Sequence, residues 1–435
     1  MVQAVESVNG REVYAKITLR LIPYLFLLYI VAYLDRVNVG FAAMDMQREL
    51  HYSNTVYGTG AGIFFIGSAL FDLPSNLMLA RVGAKVWIAR IMISWGIIST
   101  CMMFVRSPES FYILRFLLGA CEAGFFPGMI FYLTYWYPSH ERARAVAKFM
   151  TATSLAGVVG GPLSSALLRL DGFKGLAGWQ WLFLSEGIPT ILLGISVLFL
   201  LKNKPEEVHW LKPEEKAWLA DELQRDRIRY GAAEHHALRD AIRLPMLWLL
   251  AGAYFVSQVG VYIVNLWMPL ILSTFSGGAH TASVIARYAT LPYLAAAIFT
   301  VIVGWNSDRT TERRWHIAGC LLLAATGFAW TAVAHNIVVA IVAMTFAAMG
   351  LWSMMGPFWT LTTSVLGDAA AAAAVAILTT IGGVGAFLGP YSIGRIRDIT
   401  HSFQGGLYAM SALAVGAALL ALAARSGKQS PKTKS

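Results

Sequence analysis

A chain of 435 residues that is 57% hydrophobic and only 13% charged carries about half the charged fraction of an ordinary soluble domain. Its net charge of +10 sits in short hydrophilic gaps between long apolar runs, which excludes a nucleic-acid-binding surface and points to the inner loops of a membrane protein.

The first apolar run follows Arg11, Lys16 and Arg20. It is too long for a signal peptide and continues without a cleavage pattern into Asp35 and Arg36, so it reads as a retained span. About twenty apolar residues cross the hydrocarbon. On that measure the first half holds six spans, roughly 17–43, 56–80, 86–105, 110–137, 144–168 and 179–201. A hydrophilic linker over 202–244 carries nine basic and nine acidic residues. Within it, 213–227 spaces Ala217, Trp218, Leu219 and Leu223 along one side of a proline-opened surface helix, which reads as an interfacial tether. Six more spans follow, roughly 245–275, 283–306, 315–333, 337–365, 370–394 and 403–424.

With both ends inside, 25 basic residues fall in inner segments and seven in outer loops. The positive-inside rule then places both termini in the cytoplasm. The expectation is an all-α integral membrane protein of twelve transmembrane helices. Its parts are a six-helix bundle over 1–201, the linker, a second bundle over 245–425 and a basic tail over 426–435.

The two halves match at a constant offset of 228 residues, which pairs Arg81 with Arg309, Trp87 with Trp315, Gly161 with Gly389, Pro162 with Pro390 and Arg169 with Arg397. Parallel six-span repeats are a common construction of secondary transporters, whose halves rock about a substrate near the midplane. Cys101, Cys121 and Cys320 lie singly in apolar stretches. They support neither a disulfide framework nor a metal motif. Glycine runs such as 382–385 lack the strand and the Lys-Ser/Thr of a phosphate loop and read as helix-packing positions. No cofactor is expected.

Charges inside the spans carry the chemistry. Asp35 and Arg36 lie about 23 Å along the first helix from Arg20, inside the bilayer. A central charge costs about 2.5 to 3.5 kcal/mol on insertion scales, so such residues need partners or a wet cavity. Arg115 and Glu122 are two turns apart on one face of the fourth span, with Gly119 between them. The guanidinium fork of Arg36 and of Arg115 matches a carboxylate. Asp35 and Glu122, acids in a low-dielectric cavity, suit proton exchange, with Glu122 the stronger candidate because Asp35 points elsewhere around its helix. In the competing structural reading these four charges pair to pin two helices together.

Several stretches together resemble one family. The loop GWNSDRTTERR (304–314) is similar to the inner-loop signature of the major facilitator superfamily, with NLMLARVGAK (76–85) as a degraded first-half copy. YLDRVNVGFA (33–42), RFLLGACEAGFFPG (115–128), TYWYPSHERARAVAKF (134–149), GVVGGPLS (157–164) and GVYIVNLWMP (260–269) resemble the anion:cation symporter family. The likeness is strongest to its tartrate, phthalate and hydroxyphenylacetate permeases.

The resemblance implies the major facilitator fold and roles in coupling and anion binding for Asp35, Arg36, Arg115 and Glu122. It raises Tyr33 and Tyr262 among the substrate-site candidates, where Asn38 stands as a polar one, and Asp308, Arg309 and Arg313, an acid and bases on a short inner loop, suit an inner latch to neighbouring helix ends. Two departures stand out: Ser68 where that branch has tyrosine, and Thr379 where it has asparagine. If both face the cavity, it suits a bulkier or partly aromatic acid. Asp72 stands where the branch has glutamate and reads as a helix-end anchor.

The resulting expectation is a proton-coupled symporter that imports an aromatic or hydroxy carboxylate by alternating access and works as a monomer in the bacterial inner membrane. Its partners are the small organic anion, protons and the bilayer, with no nucleic acid. Exchange or export on the same fold is the nearest alternative. A non-transporting sensor and a membrane enzyme are the alternatives of a different class, and no nucleophile, base or metal cluster favours the enzyme.

Overall fold

The computed structural model describes residues 8–230, 242–277 and 280–424. Among these residues every long element is a helix and no strand occurs. Among the described residues eleven helical segments are long and apolar enough to cross a membrane, and Leu155–Leu168 is a shorter apolar helical stretch. The basic tail lies outside the described residues.

The helices group into two compact units, Met1–Tyr52 with Ile63–Ala232 and Ser53–Gly62 with Ala233–Ser435. In the first unit α1 spans Gly10–Leu50, α2 Asn54–Val82 (its first nine residues belong to the second unit), α3 Ala84–Cys101, α4 Pro108–Glu122, α5 Phe125–Leu133, α6 Ser139–Leu168, α7 Gly178–Leu200 and α8 Pro213–Tyr230. The second unit holds α9 (Pro245–Thr274), α10 (Ala282–Tyr288), α11 (Thr290–Thr310), α12 (Arg314–Ala332), α13 (Ile337–Ser353), α14 (Met355–Thr400) and α15 (Gln404–Ala423). Pro162 and Pro390, partners at the 228-residue offset, both lie inside helices.

Three boundaries differ from those drawn on hydropathy. α1 is 41 residues long, because polar turns at both ends extend the apolar core of the first span. The tenth span changes helix between Ser353 and Met355, and α14 carries its end together with the whole of the eleventh. The fourth span, expected to be continuous, breaks after Glu122. Gly124 there takes the left-handed conformation (φ 80°, ψ 0°) and α5 starts at Phe125. Glycine reaches that region without the Cβ clash other residues meet.

Small residues let the helices of the first unit approach closely, the usual route to packing where lipid removes the hydrophobic drive. α3 and α7 meet at Gly96 and Gly187: a Cβ on Gly96 would lie 3.0 Å from the Gly187 carbonyl oxygen. α2 and α4 meet at Gly67 and Gly119, where a Cβ on Gly67 would lie 3.1 Å from the Ala120 nitrogen. These two crossings set the positions of the charged side chains described next.

The linker helix α8 packs on the first unit. Trp218 lies edge-on to Tyr14 with ring centroids 5.4 Å apart. Lys16 Nζ reaches Glu215 Oε1 at 2.5 Å, and Asp226 accepts hydrogen bonds from the backbone N–H and hydroxyl of Ser139.

Candidate functional site

Asp35 and Asn38 occupy one face of α1, three residues apart, and Arg36 turns about 100° away from Asp35 and further from Asn38. Asp35 is fully buried. Its carboxylate accepts hydrogen bonds from Trp95 Nε1 at 2.6 Å, from Ser99 Oγ and from Asn38 Nδ2 at 3.2 Å. Trp95 and Ser99 are one turn apart on α3. The same Asn38 nitrogen donates to Glu186 Oε2 on α7 at 2.9 Å. An Asp–Asn–Glu chain therefore joins α1 to α7 inside the first unit, and Trp95 and Ser99 tie it to α3.

Arg36 points the other way and forms an ion pair with Glu122, the last residue of α4. Its side chain is 22% exposed and that of Glu122 only 2%. Arg115 is completely buried. The Phe64 ring gathers the two guanidiniums: its centroid lies 5.8 Å from Arg36 Cζ and 4.9 Å from Arg115 Cζ. A guanidinium against an aromatic face gains cation–π attraction and is held in place without losing its hydrogen-bonding edge. The pairing foreseen in the structural reading is thus present for Arg36 and Glu122. The two arginines still converge on one ring, an arrangement that pinning alone does not need.

The break after Glu122 is tied down by α2. Asp72 Oδ1 accepts the Gly124 backbone N–H at 2.7 Å, and Ser75 Oγ donates to the Ala123 carbonyl at 2.7 Å while accepting from Trp87 Nε1 at 3.0 Å. Both backbone groups exposed by the break are satisfied in this way. Ser68 is half-buried at the α2–α4 crossing, its backbone nitrogen 3.0 Å from the place a Gly119 Cβ would take. Tyr33 is half-buried one turn before Arg36 on α1.

In the second unit Tyr262 is buried on α9 and Thr379 is exposed on α14, its hydroxyl bonded to the Val375 carbonyl at 2.9 Å. One turn beyond Thr379, Gly382 packs against Tyr254, whose ring meets those of Phe358 and Trp359 with centroids 5.2 Å away in each case. Asp308 pairs with Arg313 at 2.8 Å within its own loop, and Arg309 Cζ stands 5.5 Å from the Trp305 ring. Among the described residues, every buried charged side chain belongs to the first unit, and no three His, Cys, Asp or Glu residues cluster as metal ligands. Among the described residues the two halves of the repeat therefore differ in buried charge.

A Major Facilitator Superfamily profile matches residues 25–390. The chain belongs to the Major Facilitator Superfamily. A candidate tartrate transporter of Agrobacterium vitis is 44% identical over 424 residues, covering 97% of this chain and 94% of that protein. A quinolone resistance transporter of Acinetobacter baumannii is 38% identical over 405 residues, 92% of each chain. The solved structure of a bacterial homologue of the human lysosomal transporter Spinster aligns with a TM-score of 0.76 at 21% identity, over 94% of this chain and 98% of that one, a likeness of fold. This facilitator is a multi-pass inner-membrane transporter of a small molecule, and it is not an enzyme.

Sequence reasoning singled out Asp35, Arg36, Arg115 and Glu122 as candidates but not Glu186, which the structure joins to Asn38. Glu186 lies in the sixth apolar segment, eight residues past its start at Gly178. An acid so far inside an apolar run was the available signal.

Proposed function

We propose that this facilitator is a proton-coupled symporter that imports an organic carboxylate, an aromatic or hydroxy acid, by alternating access, and that it works as a monomer. The observation that carries the reading is the Arg36–Glu122 ion pair beside Arg115, with both guanidiniums against Phe64. When Glu122 takes a proton, its hold on Arg36 weakens, and the two forks are free to take a carboxylate. Proton and anion thus bind together, and the loaded carrier reorients. Asp35 is the second candidate for the coupled proton. The tartrate name of a 44% identical relative supports a hydroxy-acid substrate, and the small side chains of Ser68 and Thr379 support a bulkier one.

The test is uptake into proteoliposomes with an acidic exterior. Accumulation of a labelled aromatic or hydroxy acid that collapses with a protonophore supports symport. Accumulation that persists without a pH gradient, provided a counter-anion is loaded inside, would replace symport with exchange. Export is the second reading, favoured by the quinolone resistance relative. Efflux of a preloaded cationic or zwitterionic drug, with no carboxylate uptake, would establish it.

A further inference from the structure

We infer that Glu186 is a neutral, protonated acid at rest, and that it acts as a positioning residue: it fixes Asn38, and through Asn38 it holds Asp35 as an ionised counter-charge to Arg115. This deepens the symport reading and rests on it for one consequence only, namely that Glu122 and not Asp35 carries the transported proton.

Charge counting begins the argument. Mid-span in the first unit the described residues place three buried carboxylates, Asp35, Glu122 and Glu186, against two guanidiniums, Arg36 and Arg115, while the other two buried acids, Asp45 and Glu215, have their own partners in Arg48 and Lys16. An unpaired charge at that depth is costly, so one acid has to be neutral. Glu122 is paired with Arg36. Asp35 accepts three hydrogen bonds, from Trp95, Ser99 and Asn38, and lies within Coulombic reach of Arg115. Three donors and a cation favour the ionised form of Asp35 more than a single donor favours that of Glu186. To the Glu186 carboxyl the structure gives one donor, Asn38, and its charged neighbour is the like-charged Asp35.

The surrounding helices supply no cation to Glu186. On α1 the remaining charged groups towards the C-terminal end are Asp45, Arg48 and Glu49, and Glu49 accepts from Trp179, two turns from Glu186 on α7. α3 carries Lys85 and the exposed Arg90 in its first half, before Trp95. The described charged side chains of α6 are confined to its first turns, at His140, Glu141, Arg142 and Arg144.

Donor and acceptor counting agrees. Asn38 Oδ1 is buried and has no hydrogen-bond partner among the described residues. The Asp35–Asn38–Glu186 chain is rich in acceptors, and a carboxylic O–H adds the donor it lacks.

The experiment is infrared spectroscopy of the purified full-length protein in lipid nanodiscs, read at the deuterium-sensitive C=O stretch of a protonated carboxyl. Wild type should show this band at a pH where exposed carboxylates are ionised. Glu186→Gln should lose it, while Asp35→Asn and Glu122→Gln keep it. A spectrum unchanged by Glu186→Gln, or a band lost in Glu122→Gln or Asp35→Asn instead, overturns the inference.

In proteoliposomes Glu186→Gln, which mimics the neutral acid, should retain pH-driven uptake within about threefold, whereas Glu186→Ala, which frees Asn38, should lose roughly tenfold or more. Loss of pH-driven uptake with intact exchange in Glu186→Gln would make Glu186 the proton carrier and overturn the positioning role. Undiminished pH-driven uptake by Glu122→Gln would instead remove the coupling reading and leave the infrared assignment of Glu186 standing.

Discussion

The backbone N–H of Gly124 is 2.7 Å from Oδ1 of Asp72, so the break in the fourth span is held from α2. At φ 80° a Cβ on residue 124 is strained, and it would also lie 2.7 Å from the Ser75 Cβ. Gly124→Ala should therefore cost about 1 to 3 kcal/mol, visible as a lower melting temperature in detergent. Asp72→Asn keeps an acceptor and should cost less. Equal melting temperatures for wild type and Gly124→Ala would show that the break is not held in this conformation.

Arg115→Lys retains the charge but loses the planar fork and its stacking on Phe64. Anion affinity should fall by roughly tenfold or more while expression and melting temperature change little. Titration of folded protein with the transported acid checks this, and wild-type affinity would remove Arg115 from the anion site.

Glu122→Gln keeps the shape of the side chain that meets Arg36 and fixes it in a neutral form. Substrate should still bind, and exchange of labelled for unlabelled substrate should survive. Accumulation driven by a pH gradient should fall to the level of exchange alone. Loss of both binding and exchange would return the pair to a purely structural role.

Ser68 sits at the α2–α4 crossing beside Gly119. Ser68→Tyr should narrow the space near Arg115 and select against the largest accepted acid by about tenfold relative to the smallest. Competition uptake with a size series measures it. An unchanged ranking would place Ser68 outside the cavity wall.

Glu215, on the linker helix α8, offers a pH prediction. Burial raises its pKa, but the hydrogen bonds from Lys16 and the Lys212 backbone, with the charges of both lysines, outweigh burial and hold it below the ordinary carboxylate range. A depressed folded value means that the contribution to α8 docking is fully present above the unfolded pKa and is lost as pH falls through the folded one. Trp218 fluorescence should report α8 loosening in that acidic window, and Glu215→Gln should remove the pH dependence. A pH response identical in Glu215→Gln and wild type would assign the loosening to another group.

Hydropathy made the helices legible because each apolar run had to satisfy its own backbone within the bilayer. Charged residues at depth made Arg36, Arg115, Asp35 and Glu122 legible for the same reason. What stayed hidden depended on neighbours distant in sequence. Glu186 gains meaning only when α7 packs beside α1 and meets Asn38, 148 residues earlier in the chain. The break after Glu122 was signalled by Gly124 and Pro127, yet hydropathy averages over such a turn, and its anchor Asp72 is 52 residues earlier.

The packing of α8 also sets an order in time. Lys16 finds its carboxylate partner 199 residues later in the chain, and Trp218 stands where a side chain at Gly10 would go. At ribosomal speeds the inner end of α1 waits roughly ten to forty seconds for that surface to emerge. During this interval Lys16 can serve only as a topogenic charge that orients the nascent helix, and it becomes a docking residue once the first six spans have been made.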